Sequence, residues 1–224
     1  MKTIAIIPAR GGSKRLPNKN VLPLGEIPLI AHSILFAKKN NAIIDGIYVS
    51  TDNQIIKNIA LQYGAKVIDR PEELSDDLQP TVAALNHVLG NLDLMPENIV
   101  LLQPTNPFRE ENLLEKCFEV YLDKNVDSLF TVSKNNYKLG KIQNNCFDPF
   151  NYKIGQRSQD LEPLYFENGL LYICKSKLII EEKIISETAF PFIVDHIFAN
   201  IDIDTQEDFD YAAYIYQKFI NQLS

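Results

Sequence analysis

The sequence is poor in several things, and each shortage removes a class of function. Only three cysteines occur in 224 residues, Cys117, Cys146 and Cys174. They make no CxxC pair, no metal-ligand spacing and no even-numbered disulfide framework, so a reduced, soluble, cytoplasmic protein is expected. Basic residues are in the minority, 22 Lys and Arg against 29 Asp and Glu, for a formal charge of −7. That balance speaks against a generic nucleic-acid binder, which needs a basic footprint for the phosphate backbone. No apolar run approaches the roughly 18 residues of a membrane-spanning helix. The opening Met1–Ile7 has a lysine and an apolar stretch, but Pro8 and Arg10 cut it short of a signal peptide. G-x-x-x-x-G-K-[ST] is absent, and no G-x-G-x-x-G follows a predicted strand, so the P-loop and dinucleotide signatures are missing. His32, His87 and His196 do not cluster with cysteines or acids, and no serine or cysteine has a nucleophile-elbow context. Covalent catalysis is not indicated.

What is present reads as an ordinary globular chain, 46% hydrophobic and 23% charged, long enough for one domain with a sizeable core. An apolar strand over Thr3–Pro8 is followed by a polar loop, Ala9–Asn20. Pro28 stands where helices start, and Leu29, Ile30, Ser33, Ile34 and Ala37 recur at helical spacing. A buried-type strand covers Gly46–Thr51, and a helix over about 53–63 is capped from Asp52 or Asn53 and stopped by Gly64. Strand Lys66–Asp69, a helix near 80–91, strand Asn98–Leu102 and a helix over Glu110–Lys124 continue the alternation. That rhythm predicts a mostly parallel sheet with helices on both faces. It breaks after Phe130. Residues 134–165 are polar and asparagine-rich, and a loop that long is uncommon without a task, so a projecting hairpin or lid is expected. Strands are predicted again at Gly169–Cys174, near Phe190–Val194 and at Ile201–Ile203. A last helix spans about 205–220, with Phe209, Ala212, Ala213, Tyr216, Phe219 and Ile220 facing inward.

In open parallel sheets, ligands bind beyond the carboxyl ends of the strands. The first such end carries Arg10, Lys14, Arg15 and Lys19, four cations within ten residues of an acidic protein, around Gly11 and Gly12. Glycines let backbone approach a ligand closely, and consecutive N–H groups form anion-binding concavities. An isolated cluster of this kind is as readily a solvated loop, but its place after the first strand favours a polyphosphate. A second candidate is Asp202 and Asp204. Alternate side chains of an extended segment share a face, about 7 Å apart at Cα, so two carboxylates can converge on a hard divalent cation. Otherwise Asp204 caps the last helix and Asp202 faces solvent. Third, the turn after the strand at Asn98–Leu102 offers Gln103, Thr105 and Asn106, neutral groups suited to sugar hydroxyls or a base edge; it also reads as a simple strand-to-helix turn.

Taken in order, these stretches resemble the acylneuraminate cytidylyltransferases, the CMP-sialic acid synthetases. The resemblance rests on Ile7–Asn20, Ser50-Thr51-Asp52, Arg70–Leu74 before Ser75-Asp76-Asp77, Leu102–Arg109, Gln159-Asp160-Leu161, Glu167–Ile173 and Ile201–Thr205. It implies a Rossmann-like nucleotidyltransferase fold that joins CTP to a nine-carbon 2-keto-3-deoxy sugar acid and releases pyrophosphate. It also implies a homodimer in which the region after residue 130 reaches across to the partner. By the same likeness Arg10, Gly11, Gly12, Ser13, Lys14, Lys19 and Asn20 hold the triphosphate and ribose, with Arg70 and Thr81 closing over the nucleotide. Gln103, Thr105, Asn106, Gln159, Asp160 and Asn168 face the sugar acid, and Asp202 and Asp204 bind Mg²⁺. Arg10, Lys19, Asp202 and Asp204 are the expected catalytic set. Two departures fall on the sugar side: Arg157-Ser158-Gln159-Asp160-Leu161-Glu162 replaces an arginine-glutamine-aspartate-leucine-proline run, and Leu170 replaces a frequent alanine. The Gly11–Lys14 loop favours nine-carbon over eight-carbon acids, and the alternatives are legionaminate, pseudaminate, deaminated neuraminate or an octulosonate. A non-catalytic nucleotide-sensing module is the alternative of another class.

Overall fold

The computed structural model describes residues 2–76 and 78–223, without the side chains of 220–223. Asp77, part of the acidic run noted above, and the side chain of Ile220 therefore lie outside the described residues. The first half follows the predicted alternation: β1 (Thr3–Pro8), short strands β2 (Pro23–Leu24) and β3 (Ile27–Pro28), α1 (Leu29–Lys39), β4 (Gly46–Thr51), α2 (Gln54–Gln62), β5 (Lys66–Asp69), α3 (Thr81–Gly90), β6 (Asn98–Leu101) and α4 (Leu113–Asp123). Asn53 caps α2 by accepting the amides of Ile55 and Ile56, and Gly64 takes the left-handed conformation that ends it. The second half supplies β7 (Ser128–Asn135), β8 (Gly140–Gln143), β9 (Cys146–Pro149), β10 (Leu164–Lys175), α5 (Ser176–Ile180), β11 (Phe190–Ile193) and α6 (Gln206–Leu223).

Seven strands form one sheet in the order β11-β7-β10-β6-β1-β4-β5. All neighbours are parallel except β10, which runs antiparallel between β6 and β7. The first four parallel strands reverse direction of growth between β1 and β6, which opens a crevice at their carboxyl ends. Alternate residues of β1 feed opposite faces of the sheet: Ala5 and Ile7 join α1, α2 and α4 on one side, while Ile4 and Ile6 join α3 and α5 on the other. A third apolar cluster packs α6 through Ala212 and Ile215 against Leu16, Leu24, Phe108, Phe198, Ile201 and Ile203. It is the floor under the polar loop after β1.

Three expectations change. Ile201–Ile203 is not a sheet strand. It is extended, and the amide of Ile203 donates to the carbonyl of Thr105 rather than to a ladder. The predicted strand at 169–174 begins earlier, at Leu164, because its N-terminal part pairs with the end of β7. The register shifts between Glu167 and Tyr172, where Gly169 adopts φ +76; a Cβ there would lie 2.7 Å from Oδ1 of Asn106. β7, finally, has no counterpart among the predicted strands. Between it and β10, Asn144 and Asn145 take positive φ and close the two-residue turn of the β8–β9 hairpin. No residue from 134 to 167 is buried.

Candidate active site

The loop after β1 is tied down by bonds to distant chain. The amide of Ala9 donates to the Ser50 carbonyl, that of Gly11 to Oδ1 of Asp52 at 2.8 Å, and Asn20 Nδ2 to the Arg10 carbonyl at 2.9 Å. Gly11 is needed because a Cβ at that position would come within 2.7 Å of Asn53 Nδ2, whereas one at Gly12 meets open space. Leu16 anchors the middle of the loop in the third core. Lys19 follows and is itself buried, donating from Nζ to the Ile203 carbonyl (2.7 Å) and to Oδ1 of Asp204 (2.9 Å). Arg15 reaches the other oxygen of Asp204 at 2.6 Å.

A cavity of about 510 Å³ opens above this loop. Arg10, Ser13, Lys14, Lys19 and Asn20 form one wall, and Arg70 and Thr81 another. Gln103, Thr105 and Asp204 close the third side. Arg70 is held by Ser50, from Nε to the hydroxyl and from an NH₂ group to the carbonyl. Burial lowers the pKa of its guanidinium, Arg10 lowers it further, and Asp52 opposes both. A cleft with this set of cations accepts a polyphosphate, and its neutral side offers hydrogen bonds to a polyol. An adjoining pocket of about 440 Å³ shares Pro80, Thr81 and Gln103 and adds Val82, Leu101, Glu167, Tyr172, Ile184 and Ile185. Within it the Tyr172 hydroxyl donates to Oε1 of Glu167 at 2.5 Å.

Several expected site residues stand elsewhere. Asn168 does not reach the cavity: its Nδ2 donates to the Ser133 hydroxyl, and its Oδ1 accepts from the Thr131 hydroxyl and the Leu170 amide. A buried amide must be paired, and the bulge in β10 turns this one into the sheet. Asn106 is likewise 1% exposed and spends its Nδ2 on the carbonyls of Asn168 and Ile201, so it ties the turn to its neighbours. Gln159 and Asp160 lie on an exposed turn of the projecting segment, where Asp160 pairs with Arg157. Sequence reasoning counted Arg15 among the four cations of the loop but gave no role to Asp76 or Gln79, which line the cavity with it, nor to Glu167.

Asp202 and Asp204 do share an edge, since Ile201 and Ile203, which alternate with them, are buried, but only Asp204 lines the cavity. Asp204 is not the cap of α6. Thr205 and Asp208 form that cap reciprocally: the amide of Asp208 donates to the Thr205 hydroxyl, and Oδ2 of Asp208 accepts from the Thr205 amide. The Asp202 carboxyl has its pKa raised, first by the protein crowded around it and then by Asp204, while Thr105 and Lys19 oppose the shift. Two hard oxygen donors that repel each other suit a divalent cation whose other positions are filled by phosphate and water. Among the described residues no cluster of three or more metal-ligating side chains occurs, so these two would need such help.

The cytidylyltransferase family profile matches residues 4–222 of the chain. A pseudaminic acid cytidylyltransferase of Campylobacter jejuni is 35% identical over 97% of both chains. A CMP-N,N'-diacetyllegionaminic acid synthase of Legionella pneumophila is 38% identical over 93% of each. An N-acylneuraminate cytidylyltransferase of Streptococcus agalactiae is 33% identical over 93% of this chain, but the match spans only 52% of that longer protein. Among solved structures, a CMP:2-keto-3-deoxy-manno-octonic acid synthetase complexed with CTP superposes with TM-score 0.74 at 17% identity, covering 97% of this chain and 99% of that one. A 4-diphosphocytidyl-2C-methyl-D-erythritol synthase of Anaerococcus prevotii gives 0.64 at 19%, covering 96% and 98%. These likenesses show a nucleotidyltransferase fold. With the basic loop after β1 meeting Asp204 in the same crevice, and the profile covering nearly the whole chain, the protein belongs to the cytidylyltransferase family.

Proposed function

We propose that the chain transfers the cytidylyl group of CTP to a nine-carbon 2-keto-3-deoxy sugar acid of the N-acylneuraminate type, releasing pyrophosphate. The observation that carries this reading is one cleft with cations on one wall and neutral Gln103 and Thr105 on the other, bounded by Asp204. Relatives named for pseudaminate, legionaminate and N-acylneuraminate, at 33–38% identity, support the substrate class and leave its acyl pattern to experiment.

In this reading the anomeric hydroxyl of the acid attacks the α-phosphorus, in line with departing pyrophosphate. The protein's share is positioning and charge neutralisation. Arg10, Lys14 and Arg70 orient the triphosphate, and Ser13, Asn20 and the loop at Gly11 and Gly12 shape its seat. Lys19 stabilises the charge that builds on the leaving group. Gln103 and Thr105 orient the acid. Asp202 and Asp204 would hold Mg²⁺, whose Lewis acidity would favour ionisation of the attacking hydroxyl and offset phosphate charge. The enzyme acts as a cytoplasmic homodimer, and residues 134–165, with Gln159 and Asp160, reach the partner's sugar side.

Pyrophosphate release from CTP, measured side by side with N-acetylneuraminate, legionaminate, pseudaminate, deaminated neuraminate and an octulosonate, tests the reading. Turnover with a nine-carbon acid is expected. CTP binding without turnover on any of them would turn the assignment to a nucleotide sensor, and Asp202→Ala or Asp204→Ala with near-normal turnover would remove the metal from it.

A further inference from the structure

Arg109 stands outside the cleft, yet it is the most deeply buried cation among the described residues, 4% exposed. Burial pushes its pKa down to about 9, so it stays charged at neutral pH. No carboxylate among the described residues forms an ion pair with it. A buried charge of this kind is costly unless neighbouring dipoles compensate it. Three do. Nε donates to the Leu170 carbonyl at 2.7 Å, one NH₂ group to the Gln103 carbonyl at 3.0 Å, and the other to the Ser33 hydroxyl at 3.1 Å. The guanidinium also lies 5.5 Å from the centre of the Phe36 ring.

The acceptors are not random pieces of core. Gln103 opens the turn after β6, and its side chain lines both the cleft and the adjoining pocket. Leu170 belongs to the irregular stretch of β10 between Glu167 and Tyr172, which form the wall of that pocket. Ser33 belongs to α1, the rigid element behind them. One planar fork therefore holds the sugar-side turn and the sugar-side strand against a single helix, through charge-assisted bonds that are directional and strong. The residues proposed to hold the triphosphate share no bond with it.

We propose that Arg109 is a positioning residue for the acceptor: it sets where Gln103 and the β10 wall stand, and so governs affinity for the sugar acid without touching it. The inference rests on the reading that Gln103 faces the acid. A residue important only for folding would weaken both substrates alike, so the test is a split between them. Arg109→Lys keeps the charge but loses the fork. Its KM for the sugar acid should rise on the order of 10-fold, as small displacements of substrate-positioning groups commonly do, while KM and calorimetric affinity for CTP move less than about 2-fold. In a Gln103→Ala background the same substitution should raise that KM by less than it does in the parent, because part of its effect runs through the Gln103 side chain. If Arg109→Lys fails to fold, Ser33→Ala, which removes one acceptor, takes its place and should give a smaller rise in the same KM. Parallel losses for both substrates, or full additivity with Gln103→Ala, would overturn the inference while the parent enzyme still turns over. A parent enzyme inactive on every sugar acid would overturn the underlying reading, and the inference with it.

Discussion

Two long polar segments of this chain, residues 9–20 and residues 136–163, look alike in composition and behave differently. The first sends bonds to Ser50, Asp52, Ile203 and Asp204, and buries Ala9, Leu16, Lys19 and Asn20. The second bonds mainly within itself: Asn151 to Tyr137 and Leu139, Lys138 to Gln156, and Arg157 to Asp160. It leaves Tyr137, Ile142, Phe150 and Ile154 more than two-thirds exposed. A loop whose polar groups are satisfied by its own chain is a finished site. A hairpin that exposes several large apolar side chains is where the proposed dimer contact can be tested, since exposed apolar patches mark interfaces.

The comparison can be broken at four points. The largest effect is expected at Lys19. Lys19→Ala should lower kcat by about 10²–10³-fold, the usual cost of losing a group that stabilises developing charge. Its affinity for CTP should fall much less; equal losses in steady-state and binding measurements would make Lys19 a binding residue alone. In the projecting segment, Ile142→Asp with Ile154→Asp should convert the proposed dimer to monomer by sedimentation and cut turnover, with little change in the melting temperature. An unchanged sedimentation coefficient would show that the patch covers nothing. Next comes the loop itself: Gly11→Ala forces a contact with Asn53 and should weaken CTP binding several-fold by calorimetry, whereas Gly12→Ala, with open space around its Cβ, should not distort the loop.

The smallest effect is a pH dependence. His32 is pushed down to about 4, first by burial and also by Arg109, while its bond to the Leu24 carbonyl opposes the shift. Unfolded, it titrates near 6.5. Between those values the unfolded chain binds the extra proton, so stability falls as pH drops from 6.5 toward 4. Replacing it by His32→Gln should flatten that slope in thermal melts; an unaltered slope would place the acid sensitivity elsewhere.

Legibility followed the range of the contacts involved. β1, β4, β5 and β6, with α1, α2 and α3, fall within two residues of their expected bounds because strand periodicity, caps and stops are local. α4 starts three residues late, after a turn closed by the Leu113 amide on the Glu110 carbonyl. β7 escaped because its pairing is with β10, some thirty residues on, and with β11. Of the residues that line the cleft, Arg10, Lys14, Lys19 and Asp204 were legible from residue type and position. Asn168 was not, since Thr131 and Ser133, on the unforeseen strand, decide which way its amide turns.

By itself, then, the sequence determined that this is an acidic α/β chain with a basic loop at the first strand end and a pair of acids near the last helix. Those are properties of residue type, spacing and local backbone preference. Only the tertiary structure decided that Lys19 and Arg15 meet Asp204, that β10 lies antiparallel with a bulge, and that a buried Arg109 joins Gln103 to Leu170. The Arg109–Leu170 and Arg15–Asp204 pairings cross 61 and 189 residues, and no local preference encodes them. They are set when the two faces of the sheet and the third core close together, and each buried polar group must then find a partner among whatever the packing has brought near.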